Sequence, residues 1–345
     1  ASPFLVEVQE SAVKPIEPVF LDYQKDMSQL KAKSDIPILY KQNVANDLFQ
    51  LIYVFDMGNN HDKALGTAFD YLEYLGTSDM TPEELKSEFY RLACTFYVSP
   101  GNERTYVVLS GLNENMPAAV QLFEKLLADA QVNKEAYTNM TSDILKARSD
   151  AKLNQGQNFS RLMSFAMYGP KSPATNLLTE AELTNMNPQE LVDRIHNQNS
   201  YKHRILYYGP SSSKDLLATI NQYHQVPAAL KDIPAGNEYS YLETPVTKVL
   251  VAPYDAKQIY MAQISNLDKK YDPAIEPIRA LYDEYFGGGM NSIVFQEMRE
   301  TRGLAYSAWA SIMPPSYLKY PYVLRTQIAT QNDKMIDAVT TFNDI

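Results

Sequence analysis

Among the 345 residues there is one cysteine, one tryptophan and four histidines. A lone cysteine forbids any disulfide within the chain. Cys94 stands with Phe89, Leu92 and Phe96 at helix-like steps, which predicts a small buried hydrophobe in a helical stretch. No apolar run approaches the roughly 20 residues that span a bilayer, and the first residues lack the apolar core of a signal peptide. Positive charge is also in deficit: 31 Lys and Arg face 41 Asp and Glu, for a net charge of −10. No basic stripe is left to neutralise phosphates, which argues against nucleic acid as a partner. An acidic surface of this kind favours basic peptides. No G-x-S-x-G, Walker-type loop or dinucleotide fingerprint occurs, so serine hydrolases and nucleotide enzymes have no support. The histidines, His61, His196, His203 and His224, fall in neither H-x-x-E-H nor H-E-x-x-H. His61 lies in a Gly-Asn-Asn-His-Asp turn that predicts exposure. His196 and His203 are seven apart, but the helical pattern carrying the first ends near Asn197.

A hydrophobic content of 45% with 21% charged residues describes a folded chain long enough for two cores. One plan occurs twice. Its first copy runs from Ile36–Gln42 through a strand at Leu48–Phe55 and a helix near Lys63–Leu75. Gly76-Thr77 and a second helix follow, then a strand at Thr105–Ser110. Thr81, Pro82 and Glu84 give that second helix a capping-box start. The later copy expects strands at Lys248–Ala252 and Gln258–Ser265, a helix at Pro273–Phe286, a glycine turn, another helix and a strand from Ala305. Setting Gly287 against Gly76 gives an offset of 287 − 76 = 211 residues, as a duplication would. Between the copies lie helical patterns at 118–127, 134–152 and 188–197, a strand at 204–208 and a capped helix at 211–222. The proline-punctuated stretch 227–245 reads as a linker. The chain ends within the helical pattern of Met335, Ile336, Val339 and Phe342, so the second unit is expected to be incomplete.

The densest signal is Phe286–Tyr306, FGGGMNSIVFQEMRETRGLAY. Gly287, Gly288 and Gly289 break the preceding helix and open backbone conformations closed to other residues. Asn291 or Ser292 is placed to cap a new helix, with Ile293, Val294 and Met298 toward a core and Gln296, Glu297, Arg299 and Glu300 on wetter sides. Gly303 ends that helix, and Ala305–Ile312 has strand character with Tyr306 and Trp309 in it. A cation and a phenol are thereby brought near one another in an arrangement suited to holding a peptide carbonyl. Tyr317, Tyr320 and Tyr322 either line a cleft or pack on a neighbouring sheet.

This run resembles the insulinase or pitrilysin family of zinc peptidases, in the half that does not bind the metal. The matching positions are Arg299 and Tyr306, with Gly303 and Leu304 between them. The resemblance implies an α+β fold of duplicated units, each a mostly antiparallel sheet with helices on one face. It divides the chain into an inactive insulinase-like domain over 1–235, a linker over 236–246 and a second, incomplete domain over 247–345. In the first unit Asp70-Tyr71-Leu72-Glu73-Tyr74 looks like the family's metal motif, with Asp70 and Tyr74 where histidines would stand and Glu73 retained. The distal carboxylate is expected near Ser142–Arg148, which offers Asp143 but no Glu. No zinc site carries over, and no metal or other cofactor is expected in this chain. Instead the resemblance implies zinc in a partner N-terminal half, in the same polypeptide or a separate subunit, that closes with this one around unfolded peptide. Arg299 and Tyr306, with Gly287, Gly288 and Gly289, would then contact substrate, and the chain alone would be inactive. The alternative is a structural or peptide-holding subunit that kept the fold and lost the chemistry. Cysteine scarcity fits cytoplasm, mitochondrial matrix or periplasm, and similar bacterial proteins point to the cell envelope.

Overall fold

The computed structural model describes residues 2–13, 17–315 and 317–345. Two sheets carry the described residues. The larger is assembled from β1 (Ser28–Lys31), β2 (Pro37–Gln42), β3 (Leu48–Phe55), β4 (Cys94–Pro100), β5 (Thr105–Leu112) and β6 (Arg204–Gly209), in the order β1-β2-β6-β3-β5-β4. Every pairing is antiparallel except β2 with β6. On β3 the alternate residues Phe49, Leu51, Tyr53 and Phe55 are buried while Leu48 and Gln50 are exposed, so one face looks to the core. Against that face pack α2 (Leu65–Leu72), α3 (Pro82–Arg91), α4 (Met116–Asp129), α8 (Gln189–Asn197) and α9 (Ser213–Tyr223). An outer helix, α5 (Lys134–Ala151), leans on α2, followed by α6 (Gln155–Tyr168) and α7 (Glu180–Asn185). Local chemistry sets many of these ends. Thr81 caps α3 with the reciprocal Glu84 bond expected of a capping box, and Ser212 caps α9. The opening helix α1 (Pro3–Glu10) buries no residue.

The smaller sheet has the order β7-β9-β8, from β7 (Gln258–Lys270), β8 (Ala305–Met313) and β9 (Pro321–Gln331), all antiparallel. Helices α10 (Glu276–Phe286), α11 (Ile293–Phe295) and α12 (Met335–Asp344) accompany it, and Val294, Met298, Ala308, Ala310, Ile328, Ala338 and Phe342 form its core. Its strand order repeats β3-β5-β4, and the helices intervene at the same places. Both sheets are therefore built on one β-α-α-β-β-α plan, and the α+β class with mainly antiparallel pairing holds.

Two local expectations are corrected. Cys94 opens a strand rather than sitting in a helix, although it is buried as expected. Helix α3 stops at Arg91, and Ala93 takes a left-handed backbone (φ 49°), a break that no glycine or proline announces. The strand at Ala305 thus corresponds to β4, not to Thr105–Ser110, and Ala305 and Cys94 are separated by the same 211 residues as Gly287 and Gly76. Residues 248–252 form no strand and are exposed. In the first unit β2 is held between β1 and β6; among the described residues nothing in the second unit plays the part of β6, so the stretch has no ladder to join. Contacts from α6 and from Tyr317 bridge the two sheets. Phe159 packs on Tyr260 at 5.6 Å, Gln155 Nε2 donates to the Gln258 carbonyl at 2.7 Å, and Tyr317 donates to Glu103 at 2.7 Å.

Candidate functional site

The three glycines do different work. A Cβ on Gly287 would lie 2.0 Å from the Ala310 carbonyl oxygen, so the residue lets the end of α10 touch the backbone of β8. Gly289 has φ +71°, a left-handed turn that delivers the chain to Ser292. Ser292, fully buried, caps α11 by accepting from the Phe295 amide at 3.3 Å and donates to the Gly289 carbonyl at 3.0 Å. Only one turn of α-helix follows. From Gln296 to Thr301 the backbone widens into a π-helix, a form that recurs at functional sites, and Gly303 (φ +58°) closes it. Val294 and Met298 are buried as expected.

A second irregularity lies opposite the first. On β8, Ala305 pairs with Thr330 and Ser307 with Ala329, so Tyr306 is the extra residue of a β-bulge. A bulge re-aims its side chain, and Tyr306 points outward, 73% exposed. Arg299 meets it there. Its guanidinium carbon lies 5.4 Å from the Tyr306 ring centre and 5.0 Å from that of Phe295. Nη1 donates to the Tyr306 carbonyl at 3.4 Å, and Nε stands 3.6 Å from the Glu300 carboxylate. An exposed ion pair at that distance is weak, whereas two aromatic contacts hold the planar cation in one orientation. The guanidinium and the phenol are thus adjacent on the surface of an edge strand. Phe295, four residues before Arg299, was not singled out from the sequence; its helical spacing was the available signal.

The positions matching the metal motif are placed differently. Asp70 lies on α2, which ends at Leu72; Glu73 forms its C-cap, and Tyr74 is exposed beyond it. Asp143 is exposed on α5. A carboxylate and a phenol in place of two imidazoles do not fit zinc, and among the described residues no three His, Cys, Asp or Glu side chains form a ligand group. Beside Glu73 there is an apolar cavity of about 700 Å³ lined by Phe69, Leu72, Leu85, Phe89, Cys94 and Phe96. It lies in the first unit, away from Arg299. Burial raises the Cys94 thiol, so the residue is a poor nucleophile.

Three residues from distant parts of the chain form a buried polar relay. His203 Nδ1 meets the Tyr201 carbonyl at 2.7 Å, His203 Nε2 meets His224 Nε2 at 2.8 Å, and His224 Nδ1 meets Glu124 at 2.6 Å. The other Glu124 oxygen accepts from Asn199 Nδ2 at 2.9 Å and the Gln225 amide at 3.0 Å. Burial and the neighbouring His224 push the His203 imidazole down to about 4, which keeps it neutral. Each of the four ring nitrogens thus has a partner inside the fold. Facing nitrogens at 2.8 Å leave no room for a metal between them, so the relay is structural. His61, expected in solvent, is half-buried: its Nδ1 accepts from the Gly58 amide at 3.1 Å, and Gly236 packs on its ring.

No family model matches the sequence. A protein of Rickettsia felis called an uncharacterized zinc protease is 20% identical over 263 residues, 72% of this chain and 60% of that protein. A Pseudomonas fluorescens structure described as a peptidase M16 inactive domain superposes with a TM-score of 0.71 at 16% identity, over 92% of this chain and 78% of its own. The fold is that of the insulinase-like M16 peptidases. The periplasmic protease PqqL of Escherichia coli matches all of this chain with 41% of its own length, at a TM-score of 0.76 and 13% identity. A protease from Helicobacter pylori matches 92% of this chain at a TM-score of 0.69 and 11% identity. The chain spans 60% of the length of the curated relative it matches. The likeness read from Phe286–Tyr306 therefore extends across the M16 fold, and no helix among the described residues is long and apolar enough to cross a membrane.

Proposed function

We propose that this chain is the non-zinc, substrate-binding half of an insulinase-like zinc metalloendopeptidase that encloses and cleaves unfolded peptides. Residues 1–235 would form the inactive unit, 236–246 the linker and 247–345 the second unit. The observation that carries this reading is the convergence of two backbone irregularities, a π-turn and a β-bulge, on Arg299 and Tyr306, at the start of the edge strand β8. Arg299, held flat by Phe295 and Tyr306, is suited to pair with a substrate carbonyl or carboxylate, and Tyr306 to donate a hydrogen bond to the same peptide. Gly287, Gly288 and Gly289 hold the turn behind them. Zinc in a partner half, in cis or in trans, would supply the activated water. Closure of the halves would exclude folded proteins and bulk solvent. A bacterial periplasmic or envelope location fits the periplasmic relative.

The second reading is a peptide-holding subunit without a catalytic role, favoured by Arg299 already lying against two rings of its own chain. Reconstitution with the zinc half and an unstructured peptide separates the two. Removal of one transition-state donor costs roughly 10²–10³ in turnover, so Arg299→Ala and Tyr306→Phe should each slow cleavage on that order. Turnover unchanged in both variants would leave the holding subunit as the better account.

A further inference from the structure

Arg325 lies on β9, in the middle strand of the smaller sheet. Its guanidinium carbon is 5.0 Å from the ring centre of Trp309, and its Nη2 donates to Gln327 Oε1 at 2.9 Å. Nε is sealed from solvent and has no acceptor. Burial pulls the proton affinity of this group down, with the Tyr241 phenol as the opposing influence, yet an arginine starts so high that it stays charged.

Other half-buried guanidiniums are satisfied differently. Arg279 is clamped between Glu276 at 3.0 Å and Asp283 at 2.6 Å, Arg194 meets Asp62 at 2.7 Å, and Arg148 donates to the Leu178 carbonyl at 2.7 Å. Arg325 has no carboxylate within ion-pair distance among the described residues, in a protein where acidic side chains outnumber basic ones by 41 to 31. A sheltered, unpaired cation is costly to keep. Its plane is nevertheless fixed by Trp309 and Gln327, so the cost is not relieved by the fork swinging into water.

We propose that Arg325 is a carboxylate-binding residue for extended peptide, with Trp309 as its aromatic floor and Gln327 setting the fork. A single cation lying on one aromatic floor suits a flat monoanion, which it can grip through two parallel N–H donors; a phosphate would call for more positive charge. The carboxylate is either the peptide's C-terminus or an Asp or Glu side chain. The inference rests on the peptide-binding reading above but needs neither zinc nor Arg299.

Trp309 is the chain's single tryptophan, so the site carries its own reporter. The intact chain is titrated with a short apolar peptide as the free acid, as its C-terminal amide, and as the amide with one internal glutamate, with inorganic phosphate as a fourth arm. Expected is a saturable change in tryptophan emission with the free acid, in the roughly millimolar range of a single bidentate pair, and none with the plain amide or phosphate. If the glutamate peptide saturates as well, side-chain carboxylates are ligands too; if it does not, the C-terminus is the ligand. Arg325→Gln should abolish the signal, and Arg325→Lys should weaken it roughly tenfold by removing the fork. Should Arg325→Gln fail to fold, the acid and amide comparison in the native chain still decides. Equal responses to acid and amide, no response to either carboxylate, or phosphate binding as well as the acid would overturn the proposal. Loss of cleavage in Arg299 variants with this titration intact would leave it standing.

Discussion

Glu124 offers a test of the buried relay in which two substitutions of similar size should behave differently. The carboxylate is 1% exposed and accepts three hydrogen bonds, from His224, Asn199 and the Gln225 amide. Glu124→Leu leaves the Asn199 and Gln225 donors and the facing His224 nitrogen without their partner. Removing one member of a buried pair costs about 3–5 kcal/mol, and each orphaned donor about 1–3, so a loss near 4 kcal/mol is expected. At about 2–4 °C per kcal/mol for a unit of this size, the transition should fall by roughly 10 °C. Glu124→Gln is different. Its amide oxygen can serve Asn199 and Gln225 while its NH₂ can donate to His224 Nδ1. Every hydrogen bond can be kept, so the loss should be about 1 kcal/mol. Urea denaturation at neutral pH, with Glu88→Ala at the exposed Arg91 pair as the benchmark, measures both. Equal losses for Leu and Gln, or a Leu variant no worse than Glu88→Ala, would refute the weight given to the buried hydrogen bonds.

Other outcomes follow from the same geometry. His203 has a folded value of about 4, below the ordinary 6.5, so the unfolded chain binds its proton first; stability should be full above pH 6.5 and fall as pH drops toward 4. At about 1.4 kcal/mol per unit the loss is bounded by about 3.5 kcal/mol, and a flat stability profile across that window in the native chain would refute it. The groups facing this ring are His224 and, through it, Glu124, with Tyr53 and Phe55 alongside. Gly287→Ala should destabilise the second unit by about 1–3 kcal/mol, because its Cβ would meet the Ala310 backbone at 2.0 Å. Gly288→Ala, whose nearest contacts are at 3.1 Å, should cost less; the reverse order in thermal unfolding would show that the close approach is not what requires glycine.

Where the chain announces structure locally, the sequence was legible. Thr81 with Glu84, Ser212 and Ser292 each cap the helix that their neighbours suggested. The strand at Cys94 was not legible, since Leu92 and Phe96 imitate a helical stripe and the break falls on an alanine. Residues 248–252 have strand composition, but a strand needs a partner ladder, which composition does not encode. The Arg299 and Tyr306 neighbourhood was readable as a pair because both lie within one short run. Its geometry was hidden, because a π-turn and a bulge are set by packing and register. The Glu124, His203 and His224 relay joins residues up to 100 apart, so only the fold could bring it into view.

Since β8 repeats β4 at an offset of 211 residues, Tyr306 has Thr95 as its counterpart, and Arg299 has Glu88. Each copy therefore ends in an edge strand beside an equivalent pair of helices, but the two borders have diverged in chemistry. One has become a greasy recess above Cys94, the other a charged aromatic clasp. The clasp is present in the later copy alone: at the earlier edge, a threonine and an arginine-bound glutamate stand in its place.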